Sequence, residues 1–279
     1  MSRPLHRVLL DLPADLVRVF RQERLTQVAA SLAFSTLLTL VPLVSLVLVV
    51  ASSLPGFNVL VGQLDSLLMQ TLLPGKSGGA VAEQVYFMAS KARQLTWPWV
   101  LVLAGMVFLL LHTLEVALNQ VWGIKEGRPW LRRLPLYLSG MVGVPLLMGG
   151  LTSLLGFLIK LALGWNDGLA PLETELLKGL NLALLGGFFA LFYYAMPHVR
   201  VSPWAALWGG VLVSLGLAGM KLGLLWYLAR VSFYSKVYGT LSALPIFLIW
   251  LYLAWILVLV VAVLVASLDG ALTKRRPRS

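Results

Sequence analysis

His112, Glu115 and Asn119 stand at i, i+3 and i+7 inside an otherwise almost wholly apolar stretch, 98–122. On a helix that spacing puts all three on one face. An unpaired polar group in a bilayer costs several kcal/mol, so ionisable residues in such a segment are functional candidates by default. Lys221 lies near the middle of a second apolar stretch, where Gly209, Gly216 and Gly223 recur every seven residues and Gly219 forms a Gly-x-x-x-Gly pair with Gly223. That glycine seam implies close helix packing. Two arrangements are open for the charges. Glu115 and Lys221 either meet inside a bundle, neutralising one another or flanking a path for a polar substrate, or Lys221 snorkels outward and Glu115 sits near wet headgroups.

Other chemistries find no support in the sequence. His6, His112 and His198 lie far apart, with no paired His or Cys at ligand spacing, so no metal is expected. Gly75, Lys76 and Ser77 imitate the end of a phosphate-binding loop, but Gln70 stands where its first glycine belongs and no strand precedes it. Neither a Gly-x-Ser-x-Gly elbow nor a His-Glu-x-x-His pair occurs, and cysteine is absent. The chain is therefore read as a non-enzyme without a cofactor.

The elements that must position the polar face are six apolar segments, at 27–52, 98–122, 135–163, 177–195, 203–228 and 240–268. A run of about 20 apolar residues crosses a hydrocarbon core of about 30 Å. The composition agrees, with 59% hydrophobic and 12% charged residues and a mean hydropathy of +0.88. We thus expect an all-α polytopic membrane protein with six transmembrane helices in a domain over 26–268. An amphipathic helix over 1–25 should precede it on the cytoplasmic surface, a helical hairpin should fill the extracytoplasmic loop 53–97, and a basic cytoplasmic tail should follow over 269–279. Arg3, Arg7, Arg18, Arg21 and Arg24, then Lys125, Arg128, Arg132 and Arg133, then Arg200, then Lys274, Arg275, Arg276 and Arg278 alternate onto one side. By the positive-inside rule both termini are cytoplasmic. The net charge of +11 resides in these juxtamembrane clusters, which makes membrane lipids with anionic headgroups, rather than nucleic acid, the expected partner. Tyr193, Tyr194, Trp204, Trp208, Trp226 and Tyr227 near segment ends read as an interfacial aromatic belt.

Several motifs together resemble the YihY/BrkB family of bacterial inner-membrane proteins. They are the Ala-rich run from Ala30 to Leu43, Leu72-Leu-Pro74, Ala117-Leu-Asn-Gln-Val-Trp122, Pro197-His-Val-Arg200, Tyr238-Gly239 and Trp250-Leu-Tyr252. One departure is the Val260-Val-Ala-Val263 run, which stands where the family commonly reads Leu-Gly-Ala-Glu. The resemblance implies six membrane helices and an inner-membrane location but no settled activity. A ribonuclease label has been attached to the family, and the missing acid/base and metal constellation argues against it in this chain. Lipid or envelope-component transport has been suggested for relatives. On that basis His112, Glu115, Asn119, Arg200 and Lys221 are the expected contacts for an anionic headgroup or solute, Asn119 and Arg200 through the family elements around them. A non-transporting envelope scaffold is the alternative, distinguished by a dry interior.

Overall fold

The computed structural model describes residues 23–51, 97–124, 127–143, 147–148, 150–151, 154–156, 158–159, 170–230 and 243–269. The expected amphipathic helix, nearly all of the hairpin loop and the basic tail lie outside these residues. Among the described residues the chain is helical, with no strand: α1 Leu25–Ala51, α2 Trp97–Trp122, α3 Trp130–Leu138, α4 Ala170–Ala195, α5 Pro203–Arg230 and α6 Ala243–Leu268. A π-helical turn, Ser139–Gly143, continues α3. Among the described residues five helices, all but α3, are long and apolar enough to cross a membrane.

Local chemistry sets the boundaries. Pro203 opens α5 at a position where its missing N–H removes no helical bond. α2 stops at Gly123, whose φ of 74° is open to glycine at little steric cost. There the Ile124 N–H reaches the Asn119 carbonyl at 2.8 Å and the Gly123 N–H reaches Gln120 at 3.0 Å, the paired bonds of a Schellman end. Pro42 inside α1 deprives the Leu38 carbonyl of its helical donor, and one turn earlier the Thr39 hydroxyl donates to the Ser35 carbonyl.

Two boundaries differ from expectation. α4 begins at Ala170 rather than near 177, extending into polar turns where the exposed pair Glu175–Lys178 closes at 2.7 Å. The third segment was expected to open with Pro135. The helix instead starts at Trp130, after an extended Pro129, and Pro135 lies inside it. Arg132 and Arg133 are therefore helical residues, and Arg133 projects from a fixed scaffold instead of a loop.

The helices pack in sequence across the bundle: α4 lies along α5, α5 along α6, α6 along α1 and α2, and α1 along α2. α4 and α5 form the most extensive pair. Their backbones approach so closely that a Cβ built at Gly210 would stand 2.1 Å from the Gly186 carbonyl oxygen and 2.7 Å from the Ala190 nitrogen. Of the four seam glycines, Gly209 and Gly216 face neighbours on α6, where an added Cβ would meet Val265 at 2.4 Å and Leu257 at 2.8 Å. Gly219 and Gly223 are exposed, with no described atom within 4 Å of an added Cβ. Among the described residues the Gly-x-x-x-Gly pair is thus not a packing contact, because it lies on the opposite side of α5 from the close approach, which is made by Gly210 and Gly186.

The outer surface is apolar, with Leu101, Leu109, Trp204, Trp208, Leu222 and Trp226 exposed. Tyr193 departs from the expected aromatic belt. It is fully buried and donates its hydroxyl to the Val258 carbonyl at 2.7 Å, tying α4 to α6.

Candidate functional site

Several helix ends converge at one end of the bundle. The Ser202 N–H, just before α5, donates to Asp269 Oδ1 at 2.9 Å, just after α6. Arg128, in the turn after α2, donates from Nη2 to the carbonyls of Ala195 and Pro197 at 2.9 and 3.0 Å, binding the carbonyl end of α4. The Asn119 side-chain oxygen accepts the His198 N–H at 2.8 Å. Leu25, the first residue of α1, is buried in the same core as Val121 and Trp122. Arg24, Arg128, Arg132, Arg133 and Arg200 all belong to these helix ends and their turns and outnumber Glu23, Glu115 and Asp269 there, so we call this the basic end.

Just inside it Glu115 is buried, 1% exposed, and is approached by three donors. The Tyr137 hydroxyl donates to Oε2. Arg133 Nε lies 3.6 Å from the same oxygen, and the Arg128 backbone N–H makes a long 3.4 Å bond to Oε1. Tyr137 is itself pinned by an edge contact with Phe108 of α2, ring centroids 4.9 Å apart. Arg133 Nη1 lies 3.1 Å from His112 Nδ1. Since a guanidinium has only donors, Nδ1 accepts, and in a neutral ring the proton is on Nε2. Gly127 makes room for this arrangement. A Cβ there would stand 2.3 Å from Arg133 Nη2.

The helical spacing in α2 therefore does bring His112, Glu115 and Asn119 to one polar surface, facing α3 and the 196–202 connection. It does not bring Lys221 there. Glu115 lies about seven residues, or about 10 Å, from the basic end of α2, whereas Lys221 lies about eighteen residues, or about 27 Å, along α5 from that end. The carboxylate takes Arg133 and Tyr137 as partners instead of Lys221 because those two are level with it. Arg200 is exposed on the 196–202 connection. Arg133, Tyr137, Arg128 and the His198 N–H are the participants that spacing alone did not reveal; the basic run directly after a polar helical face was the available signal.

Beside the cluster lies a cavity of about 610 Å³, lined by Glu23, Val116, Asn119, Gln120, Gly123, Ile124, Gly127 and Arg133. Its walls combine the Asn119 and Gln120 amides, the Arg133 guanidinium and the Glu23 carboxylate with backbone and apolar side chains, a mixture suited to a polar headgroup. Among the described residues no group of three or more His, Cys, Asp or Glu side chains is placed to hold a metal.

An apolar exterior around helices long enough to span, with the charged residues gathered at one end, defines a polytopic α-helical membrane protein. The chain belongs to the family described as Virulence factor BrkB, which it matches over residues 16–279, in line with the resemblance carried by its motifs. It is 36% identical over 257 residues to a UPF0761 membrane protein of Azoarcus sp. strain BH72, covering 92% of this chain and 63% of that protein. It is 34% identical over 275 residues to one of Nitrosospira multiformis, covering 96% and 64%. Another, from Pseudomonas aeruginosa, is 32% identical over 248 residues, covering 89% and 60%. The chain spans about three-fifths of the length of these curated relatives. No solved structure matches it.

Proposed function

We propose that this is a bacterial inner-membrane protein of six spans, with both termini cytoplasmic, that translocates a lipid or another anionic envelope component and performs no enzymatic chemistry. The observation that carries the reading is the cavity at the basic end, with Arg133 and Asn119 in its walls. A polar pocket favours transport over a scaffold with a dry interior, although neither Glu115 nor Lys221 is part of its lining.

Topology supports the sixth span. α3 begins at the basic end, where Arg128 precedes it, and α4 ends there, an arrangement that favours a further crossing between them. The apolar segment 135–163 is the stretch able to make that crossing. The surplus of arginine over carboxylate supports a cytoplasmic basic end. It also supports anionic lipid headgroups, and no nucleic acid, as partners.

Reconstitution tests the proposal. Vesicles containing the protein and a fluorescent anionic phospholipid should exchange label between leaflets faster than protein-free vesicles. Exchange at the protein-free rate would contradict translocation of that lipid.

A further inference from the structure

Resting on the translocation reading, we propose that Arg133 is the ligand-binding cation of the cavity. Its guanidinium moves from Glu115 and His112 to a phosphate-bearing anion, while Glu115 stays held by Tyr137 and the Arg128 backbone. The geometry points to Arg133 rather than Arg128. Arg128 Nη2 is committed to two carbonyls that close α4, and although its Nη1 is also without a hydrogen bond among the described residues, Arg128 does not line the cavity. Arg133 lines the cavity, and its side chain is 20% exposed.

Its present bonds underuse it. Nε is buried without a hydrogen bond among the described residues, since Glu115 Oε2 at 3.6 Å is an ion-pair contact beyond bonding range. A buried guanidinium with an unspent donor gains from a ligand presenting paired oxygens, and phosphate fits its planar fork. Leaving Glu115 does not strand the carboxylate, because the Tyr137 hydroxyl donates to Oε2 and the Arg128 N–H reaches Oε1. In this scheme Glu115 acts as the internal anion against which the ligand competes.

The competition gives the two members of the pair opposite signs. The full chain, purified in an uncharged detergent, is titrated with phosphatidylglycerol, with inorganic phosphate and with uncharged diacylglycerol, and binding is followed by thermophoresis. Saturable binding of phosphatidylglycerol, or of phosphate, is expected. Arg133→Gln should weaken it by at least about tenfold, on the scale of one lost charge-assisted bidentate contact. Arg133→Lys, which keeps the charge without the fork, should fall between Arg133→Gln and wild type. Glu115→Gln, which still offers Tyr137 an acceptor, should strengthen binding several-fold.

Binding of phosphatidylglycerol alone identifies a lipid headgroup, and binding of phosphate with equal dependence on Arg133 identifies the free anion. Unchanged affinity in Arg133→Gln, weakened affinity in Glu115→Gln, or equal binding of diacylglycerol would overturn the proposal. Should Arg133→Gln fail to elute as a monodisperse species, the Arg133→Lys and Glu115→Gln affinities decide alone. The readout involves no flux. Intact binding without leaflet exchange would remove the transport reading and keep the site, and exchange without Arg133-dependent binding would do the reverse.

Discussion

Replacing Glu115 by leucine is expected to destabilise the folded protein by about 3–5 kcal/mol, the range for removing one partner of a buried ion pair. Two costs combine. The substitution leaves the Arg133 guanidinium largely buried without its carboxylate and strips the buried Tyr137 hydroxyl of its acceptor. Arg133→Leu should cost less, because Tyr137 and the Arg128 N–H continue to reach the carboxylate. The double variant should recover part of the Glu115→Leu loss, since an apolar replacement of a whole buried pair is often close to neutral. Thermal unfolding in detergent, carried through all four members of the cycle, checks the ordering. Additive losses would show that the two side chains do not act as a pair.

The second large effect belongs to the helix pair α4–α5. Gly210→Ala should destabilise by about 2 kcal/mol or more, towards the upper end of overpacking costs. The new methyl would meet the backbone of Gly186 and Ala190, which cannot rotate away, at 2.1 and 2.7 Å. Gly219→Ala on the same helix has open space within 4 Å among the described residues, and it should be neutral or stabilising by a few tenths of a kcal/mol to about 1 kcal/mol from helix propensity. The contrast holds composition fixed and changes only the helix face. Equal unfolding temperatures for the two variants would contradict the α4–α5 contact.

That contrast also shows why some of the structure was legible in the sequence and some was not. A heptad of glycines marks a helix as closely packed, but it does not say which side faces a partner. Gly209 and Gly216 face α6, whereas the tightest contact uses Gly210, adjacent in sequence and about 100° around the helix. Apolar length fixed the spanning helices to within a few residues, except where α4 runs on into polar turns and where a proline sits inside α3. In the site, the i, i+3, i+7 pattern of His112, Glu115 and Asn119 is local and therefore readable. Their partners come from another helix, beyond a glycine-ended turn, and pairing across such a turn depends on where α3 starts. Taking Pro135 as the first helical residue placed Arg133 in a loop. Charge alone then suggested Lys221 for Glu115, because hydropathy carries no information on the depth at which a residue lies along its neighbour.

Translocation by this route requires water to reach the open pocket beside Glu115 at the basic end of a membrane-spanning bundle. Because the chain has no cysteine, single cysteines report without background. Val116 lines the cavity and Leu109, about two turns deeper on α2, faces outward on the apolar surface, the two residues being 47% and 63% exposed. In membranes, a hydrophilic maleimide should modify Val116→Cys and leave Leu109→Cys unreacted, although Leu109 is the more exposed in the protein alone. Equal labelling of both, or protection of Val116→Cys while Leu109→Cys reacts, would contradict a hydrated cavity in a lipid-embedded bundle.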